Sequence, residues 1–414
     1  MRIGIFTDTY LPYVSGVVTS ELMLKRKLEE MGHTVYIVTA NLESMHYEYD
    51  KENRVLKIPG IPIGIYDARL TSIYPIAAIK TISSWNLDII HSQTEFGIGT
   101  FSRIISKQLH IPIVHTYHTM YEDYIYYITK GYFDKTGKKI VKYLTKFYCD
   151  KTITELIVPT KKAYELFKNK YKVDRNIHIV PTGIEVDSFD ISNMKKILIS
   201  KYRRKYHISK SDFVLLTVSR VAKEKSIDKL ILNHKKLIES GVKAKLLIVG
   251  DGPDFDELNE LVKSEKLEKY VIFTGKVPLL EVKYYYKLGS VFVTASKTET
   301  QGLTVVEAIS SSLPVVAIND DSFRLSVIDG LNGYLFNSDD EYVDKITKIY
   351  KDKKLYDRFC IQSKINSNTF SSKYFAERVL DVYNIAIKNY RHKKRIITKI
   401  KDKIKEIGDK IWQK

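Results

Sequence analysis

Short runs of β-branched and other apolar residues recur along the chain, each followed by a longer stretch with helix-like spacing of its apolar positions. Strands are predicted over residues 3–6, 34–38, 89–91, 113–116, 156–159 and 177–180. A second set is predicted over residues 214–218, 245–249, 271–274, 291–294 and 315–318. Short strands separated by helical stretches imply parallel sheets built from strand–helix–strand units. Two such sets in succession imply two α/β domains. The turn residues Pro181, Thr182 and Gly183 close the first set, and a polar stretch to about Ser211 leads into the second. A parallel sheet of this kind takes its ligand beyond the carboxyl ends of its strands. Two facing sheets would put a site in the cleft between them.

Three stretches follow another pattern. In residues 69–85, Leu70, Ile73, Ile76, Ala77, Ile79, Ile82 and Trp85 stand among Arg69, Tyr74 and Lys80. In residues 117–148, tyrosines are interleaved with Lys130, Lys135, Lys138, Lys139, Lys142 and Lys146. At the end of the chain, Ile397, Ile400, Ile404, Ile407 and Ile411 recur at three- and four-residue steps, which is one face of a helix with Trp412 beside it. Residues 391–414 hold ten Lys or Arg against three Asp or Glu, a net of +7. The spacing also fits a coiled-coil heptad, but a polar face of one sign would repel a parallel partner.

The whole chain repeats that bias. Its 414 residues carry 67 Lys plus Arg against 49 Asp plus Glu, a net of +18, which points to an anionic partner. Tyr and Trp favour the headgroup layer of a membrane and Lys favours anionic lipid. The alternative for the two aromatic stretches is a core with a solvated lysine face. No uncharged apolar run reaches spanning length, so a membrane would be met from its surface. The start, Met1 to Phe6, reads as a strand rather than a leader peptide. Cys149 and Cys360 are the two cysteines, which excludes a disulfide scaffold and a Cys-based zinc site and suits a reducing compartment.

The densest chemistry lies between Ser296 and Ala308, after the predicted strand 291–294. A helix starting near Gly302 would offer free N–H groups to a phosphate. Glu299 would sit in the loop before it and Glu307 within it. That order suits a hexose, a diphosphate and a ribose laid out in sequence. Taken as a bare pair, the two glutamates fit a solvated loop and a helix surface equally well.

Glu299 and Glu307, with seven residues between them, together with Gln301, Gly302, Leu303 and Ala308, resemble the Glu-x7-Glu motif of the retaining glycosyltransferases with the GT-B fold. Ser219-Arg220-Val-Ala-Lys-Glu224-Lys225-Ser226 resembles that family's diphosphate-holding segment, with Ser where Gly is usual at positions 219 and 226. Gly250-Asp251-Gly252-Pro253 resembles the turn after the next strand, and Gly275-Lys276-Val277 the segment facing the base. Pro12 to Val18 resembles the glycine loop that approaches the diphosphate, with Gly16 at its centre. The resemblance spans roughly residues 1–385.

It implies two Rossmann-like domains facing across a cleft, with a C-terminal helix returning to the first. The expected boundaries are 1–190 for an acceptor and membrane-binding domain and 191–372 for the nucleotide-sugar domain. A returning helix over 373–390 and a basic amphipathic tail over 391–414 complete the chain. It further implies that Gly16, Arg220, Lys225, Val277, Glu299, Gln301, Gly302, Leu303 and Glu307 bind the donor, the first Glu at the sugar and the second at the ribose. Arg220 and Lys225 would neutralise the leaving diphosphate, taking the part a metal plays elsewhere. Asp254-Phe255-Asp256 matches a metal-binding pattern but reads as a helix start. No metal site and no tightly bound cofactor is therefore expected, with Mg2+ a stimulant at most.

Four residues, His118, Arg220, Lys225 and Glu299, form the expected catalytic set. His118 matches a family His near the transferred sugar, whereas His115, within the strand, reads as a core residue. Retention at the anomeric carbon is implied, by a same-face or a covalent route. Residues 118–124 and 3–20 resemble the bacterial enzymes that glucosylate diacylglycerol, which implies UDP-glucose as donor, 1,2-diacylglycerol as acceptor and an α-monoglucosyl lipid as product. The place of action would be the cytoplasmic face of the cell membrane, reached peripherally, on an anionic surface. Addition of a second sugar to a glycolipid is the alternative. A nucleotide-sugar epimerase would not need the basic aromatic surface. No nucleic-acid recognition motif is present to explain the charge.

Overall fold

The computed structural model describes residues 1–13, 15–62, 69–71, 75–95, 97–118 and 134–412. The chain divides into two compact units. Residues 1–159, 163–180 and 375–414 make the first, and residues 160–162 and 181–374 the second.

In the first unit the strands are β1 (Arg2–Thr7), β2 (Thr34–Asn41), β3 (Glu48–Asp50), β4 (Val55–Pro62), β5 (Arg69–Thr71), β6 (Ile89–Ser92), β7 (Ile113–Thr116), β8 (Glu155–Val158) and β9 (Ile177–Ile179). They pair in the order β3-β4-β2-β1-β6-β7-β8-β9, with β5 on β4. All neighbours are parallel except β3 and β5, which run antiparallel to β4. The order turns back between β1 and β6, so the carboxyl ends of those two strands flank the ligand-binding edge.

Alternation along the strands decides which helices cover which face. Ile3 and Ile5 pack with Leu24 and Leu28 of helix Gly16–Glu30, and with Phe375, Ala376, Val379, Val382, Tyr383 and Ala386 of helix Ser372–Trp412. Those last six fall on one helical stripe, so the end of the chain roofs this face of the sheet. Phe6 and Ile90 face the other side, with Ala78 and Ile82 of helix Ile76–Ser84 and Ile98, Phe101 and Ile105 of helix Gly97–Leu109.

The second unit holds β10 (Phe213–Val218), β11 (Ala244–Val249), β12 (Val271–Phe273), β13 (Val291–Thr294), β14 (Val315–Ile318) and β15 (Gly333–Phe336). Its order, β12-β11-β10-β13-β14-β15, is parallel throughout and turns back between β10 and β13. One core cluster serves the whole unit, from Val214 on β10 to Phe359 on helix Lys353–Ser367.

Each of the eleven predicted strands is present. The sequence reading misses β3, β4, β5 and β15. It also takes residues 69–85 as one apolar surface. Instead β5 and a helix divide that stretch, and Ala78, Ile82 and Trp85 belong to the core, Trp85 stacked on Tyr36 with centroids 4.5 Å apart. A face defined by periodicity alone cannot say whether water, lipid or a sheet will cover it. Ile76 does remain 76% exposed, while Ile73 and Tyr74 lie outside the described residues. Helix Ser372–Trp412 runs through residue 391 without a break, so the backbone of the basic stretch continues that of the returning helix.

Candidate active site

In the second unit, the loops beyond β10, β11 and β13 carry most of the expected donor residues. The turn after β11 is pressed against the loop after β10. A Cβ on Gly250 would lie 1.9 Å from the Ser219 carbonyl oxygen, and one on Gly252 would lie 2.2 Å from that of Val221. Two backbones therefore touch where any side chain would separate them. The Val221 N–H donates to the Asp251 carbonyl at 3.0 Å and the Asp254 N–H to the Val221 carbonyl at 3.2 Å. This fixes Arg220, exposed just past β10, and Asp254 then leads into helix Phe255–Ser264, as read from the sequence.

Lys225 closes a 3-10 turn over Lys223–Lys225. Its ammonium donates to Glu299 Oε1 at 2.6 Å, with both side chains largely sheltered. The hydroxyls of Ser296 and Thr298 donate to the Glu224 carbonyl at 3.1 and 3.3 Å, tying the two loops together. The pair thus joins the expected sugar-binding carboxylate to one of the expected phosphate-binding cations.

Gly302 precedes helix Leu303–Ser310 at φ 74°, and no side chain caps that end. A Cβ there would meet Phe323 at 2.5 Å, so backbone and packing both call for glycine. The uncapped N–H groups beside a fixed cation and carboxylate make an anion-receptive corner. Leu303 and Val277 pack partly buried against the core. Gln301 is buried, its amide accepting from the Thr182 N–H at 2.8 Å and donating to the Thr182 carbonyl at 3.0 Å. Glu307 accepts from the Tyr286 hydroxyl at 2.6 Å, and burial pushes its carboxyl up to about 7.

Sequence reasoning misses three residues here, Lys162, Asp320 and Tyr286. Lys162 donates to the Lys297 carbonyl at 2.8 Å and to Asp320 at 2.9 Å, steadying the loop that carries Glu299. Tyr286 orients Glu307. None of the three has a local motif; their roles arise from tertiary packing alone.

In the first unit, Gly16 is exposed at the start of helix Gly16–Glu30, which Ser15 caps by accepting from the Val18 N–H at 3.3 Å. His118 lies just past β7, half-buried, with Nε2 2.6 Å from Gln93 Oε1. Burial pushes its imidazole down to about 4, so it is neutral near pH 7. His115 is fully buried, bonded to the Ser92 carbonyl at 3.0 Å and to Glu95 at 2.9 Å, a core histidine as its strand position suggests. Residues 119–124, compared above with lipid glucosyltransferases, lie outside the described residues.

Among the described residues, one group has metal-like proximity: Glu95, His115 and Cys149, with ligand atoms within 4.8 Å of one another. His115 and Glu95 already bond to each other there, and burial pushes the Cys149 thiol far up, holding it neutral. The neighbouring Arg103 guanidinium, which donates to the Gly99 carbonyl at 2.6 Å, supplies a fixed positive charge. The arrangement suits a polar core better than a cation.

Comparison with known proteins fits this layout. Residues 199–364 match the model of glycosyl transferases group 1, and residues 14–188 that of glycosyltransferase family 4. The alpha-monoglucosyldiacylglycerol synthase of Acholeplasma laidlawii is 35% identical over 92% of this chain and 96% of its own. The enzyme of the same name from Streptococcus pneumoniae is 33% identical, over 94% and 86% respectively.

The chain belongs to the GT-B glycosyltransferases. Solved structures agree on the fold. HepE of Anabaena, crystallised with UDP-glucose, superposes with a TM-score of 0.72 at 17% identity, over 93% of this chain and 99% of that one. The lipopolysaccharide glycosyltransferase WaaG gives 0.66 at 16% identity, over 92% and 99%. Within this glycosyltransferase, the group 1 match contains Arg220, Lys225, Glu299 and Glu307, and the family 4 match contains Gly16 and His118.

Proposed function

We propose that this glycosyltransferase moves glucose from UDP-glucose to 1,2-diacylglycerol with retention, giving α-monoglucosyldiacylglycerol on the cytoplasmic face of the membrane. The observation that carries the reading is the Lys225–Glu299 pair, 2.6 Å apart beside the uncapped helix Leu303–Ser310. A diphosphate arriving at that helix end would draw Lys225 away from Glu299, freeing the carboxylate to accept from sugar hydroxyls. Arg220 and Lys225 would then neutralise the charge that grows on the leaving UDP, where fixed cations stabilise the transition state most. Glu307 would take the ribose hydroxyls. Gly16, Val277, Gln301, Gly302 and Leu303 keep the proposed role of shaping the donor site. The activity for which both relatives are named supports the product, and the UDP-glucose held by HepE supports the donor.

A lipid acceptor agrees with the surface of the first unit. On helix Asp134–Asp150, Tyr143, Leu144 and Phe147 are all exposed, Tyr143 by 70%. They share one face, with Lys139 and Lys146 nearby in sequence, the arrangement of an interfacial helix. Among the described residues no helix is long and apolar enough to cross a membrane, which leaves peripheral attachment as the reading.

The test is to supply labelled UDP-glucose, UDP-galactose and GDP-mannose with mixed micelles containing diacylglycerol or monoglucosyldiacylglycerol, with and without Mg2+. A single α-anomeric proton signal on a monoglucosyl lipid is expected. A β-linked product would remove the retaining assignment, and a diglucosyl product would favour the second-sugar alternative.

A further inference from the structure

The first unit buries a line of polar side chains behind His118 to which the donor chemistry assigns no role. It starts on helix Ser372–Trp412 and ends at His118. The Tyr383 hydroxyl lies 2.7 Å from His91 Nδ1. Gln93 Nε2 lies 3.1 Å from the same nitrogen. His91 Nε2 lies 2.7 Å from Thr116 Oγ1. Gln93 Oε1 lies 2.6 Å from His118 Nε2. His91, Gln93, Thr116 and Tyr383 are all buried, so each polar atom there costs free energy unless it is paired.

The chemistry of each atom sets the direction of the line. An amide nitrogen can only donate, so His91 Nδ1 facing Gln93 Nε2 carries no proton. Tyr383 then donates to that nitrogen as well, and the proton of His91 sits on Nε2, donating to Thr116. With its NH2 group committed to His91, Gln93 turns its carbonyl to His118. A carbonyl oxygen only accepts, so His118 Nε2 carries the proton. His118 Nδ1 is then the acceptor nitrogen of the ring.

We propose that Tyr383, His91 and Gln93 are positioning residues that hold His118 as its Nε2–H tautomer, with Nδ1 presented to a substrate hydroxyl. The proposal rests on the reading of this unit as part of a glucosyltransferase site. An imidazole lone pair at Nδ1 would accept a hydrogen bond from a hydroxyl of the sugar or the glycerol. The opposite tautomer would offer an N–H and repel the same hydroxyl proton.

Other titratable groups bear on His118 from the surrounding strands. His91 on β6 and His115 on β7 are both kept neutral by burial. Glu95, beyond β6, is occupied by its bond with His115 Nε2. Tyr383 enters from the C-terminal helix, and burial pushes its phenol up, keeping it a donor. Gln93 is therefore the neutral link through which a charge could be introduced.

The test has two arms on the full-length protein. In the first, 15N-labelled histidine is observed by NMR. Wild type should show the Nε2–H pattern for His118, and Gln93→Glu should convert it to the doubly protonated form near about pH 6, because a carboxylate there stabilises the imidazolium. In the second, glucose transfer is measured against pH. Gln93→Glu should move the acid limb up by roughly one unit or more, with activity returning as the ring deprotonates. Tyr383→Phe keeps the ring packing and should lower kcat about three- to tenfold with an unchanged KM for UDP-glucose. An Nδ1–H pattern in wild type, or a Gln93→Glu profile that overlays wild type, overturns the relay. If no glucose is transferred while the NMR pattern appears and responds to Gln93→Glu, the relay stands and the glucosyltransferase reading falls.

Discussion

Each unit holds a parallel run of strands that turns back at its first strand, but the two assemble their chemistry in different ways. In the second unit, one loop holds Arg220 with Lys225, and one loop and the helix after it hold Glu299 with Glu307, each pair within a dozen residues of chain. In the first, His118 is held by Gln93, Gln93 by His91, and His91 by Tyr383, residues spread over nearly three hundred positions. The proposed donor is a charged molecule of fixed chemistry, which a contiguous motif of cations, glycines and carboxylates can meet. The line that ends at His118 is built from partners that meet only in the fold. The contrast teaches where a sequence shows its function: in loops whose backbone shape dictates residue type.

The sharpest way to break the comparison is to remove a donor-side cation. Arg220→Ala and Lys225→Ala should each lower kcat by a factor on the order of 10²–10³, since each removes a charge proposed to face the leaving diphosphate. Circular dichroism should stay native, because both side chains lie at loop ends. Near-normal turnover in either would remove the donor assignment. Lys162→Met should cost less, chiefly in KM for UDP-glucose, because it loosens the loop around Glu299 without touching the diphosphate.

On the other unit, the largest expected effect lies on the lipid rather than the donor. Deleting residues 391–414 removes a net charge of +7. Each basic residue near an anionic surface contributes up to about 1 kcal/mol at low salt. Vesicles containing phosphatidylglycerol should co-sediment with the full chain, and much less with the shortened one. Binding of UDP-glucose should be unchanged. Equal co-sedimentation of both chains would leave the exposed face of helix Asp134–Asp150 as the membrane contact and take the tail out of the account.

That contrast also explains what the sequence discloses. The eleven strands were legible because each is a β-branched run inside a parallel sheet, apolar on both faces. The strand Glu48–Asp50 was not, since Glu48, Tyr49 and Asp50 have no such run and pair only along one edge. Gly250, Gly252 and Gly302 were legible because their backbones leave no room for a Cβ. Trp85 was misread for the reason that an apolar periodicity names no partner. Tyr286, Lys162 and Tyr383 left no mark, because a phenol or an ammonium looks the same in sequence whether it meets solvent or a buried carboxylate.

Acidity offers a finer test of the donor side. Burial raises Glu307 to about 7, although the Tyr286 hydroxyl bond pulls the other way. At pH 6 it is mostly protonated and has lost one acceptor; above pH 8 it is a carboxylate able to accept from ribose hydroxyls. Donor KM should therefore fall as pH rises through about 7. The same shift has a sign for stability. The unfolded chain releases this proton earlier, so stability contributed by the group falls as pH rises from its ordinary value toward its folded one. Glu307→Gln should flatten both dependences. A KM that is level with pH in wild type would show that Glu307 does not meet the ribose in its ionised form.

The smallest expected effect concerns Ser226, where glycine is usual in the resembling family. Its backbone is left-handed, at φ 51° and ψ 44°. A residue with a Cβ pays about 1 kcal/mol or more for that conformation, and glycine is relieved of it. Ser226 precedes helix Ile227–Glu239, where a serine hydroxyl often caps the first turn, yet here it makes no capping bond. Ser226→Gly therefore loses no hydrogen bond. It does gain freedom in the unfolded chain, which offsets part of the relief. The net expected is a stabilisation of roughly 0.5 kcal/mol, a rise of about 1–2 °C in the melting temperature of a domain this size. Turnover should be unchanged, because Lys225 keeps its bond to Glu299. A lower melting temperature would mean that the Ser226 hydroxyl contributes to stability, and that the donor loop of this chain has settled on serine for a reason of its own.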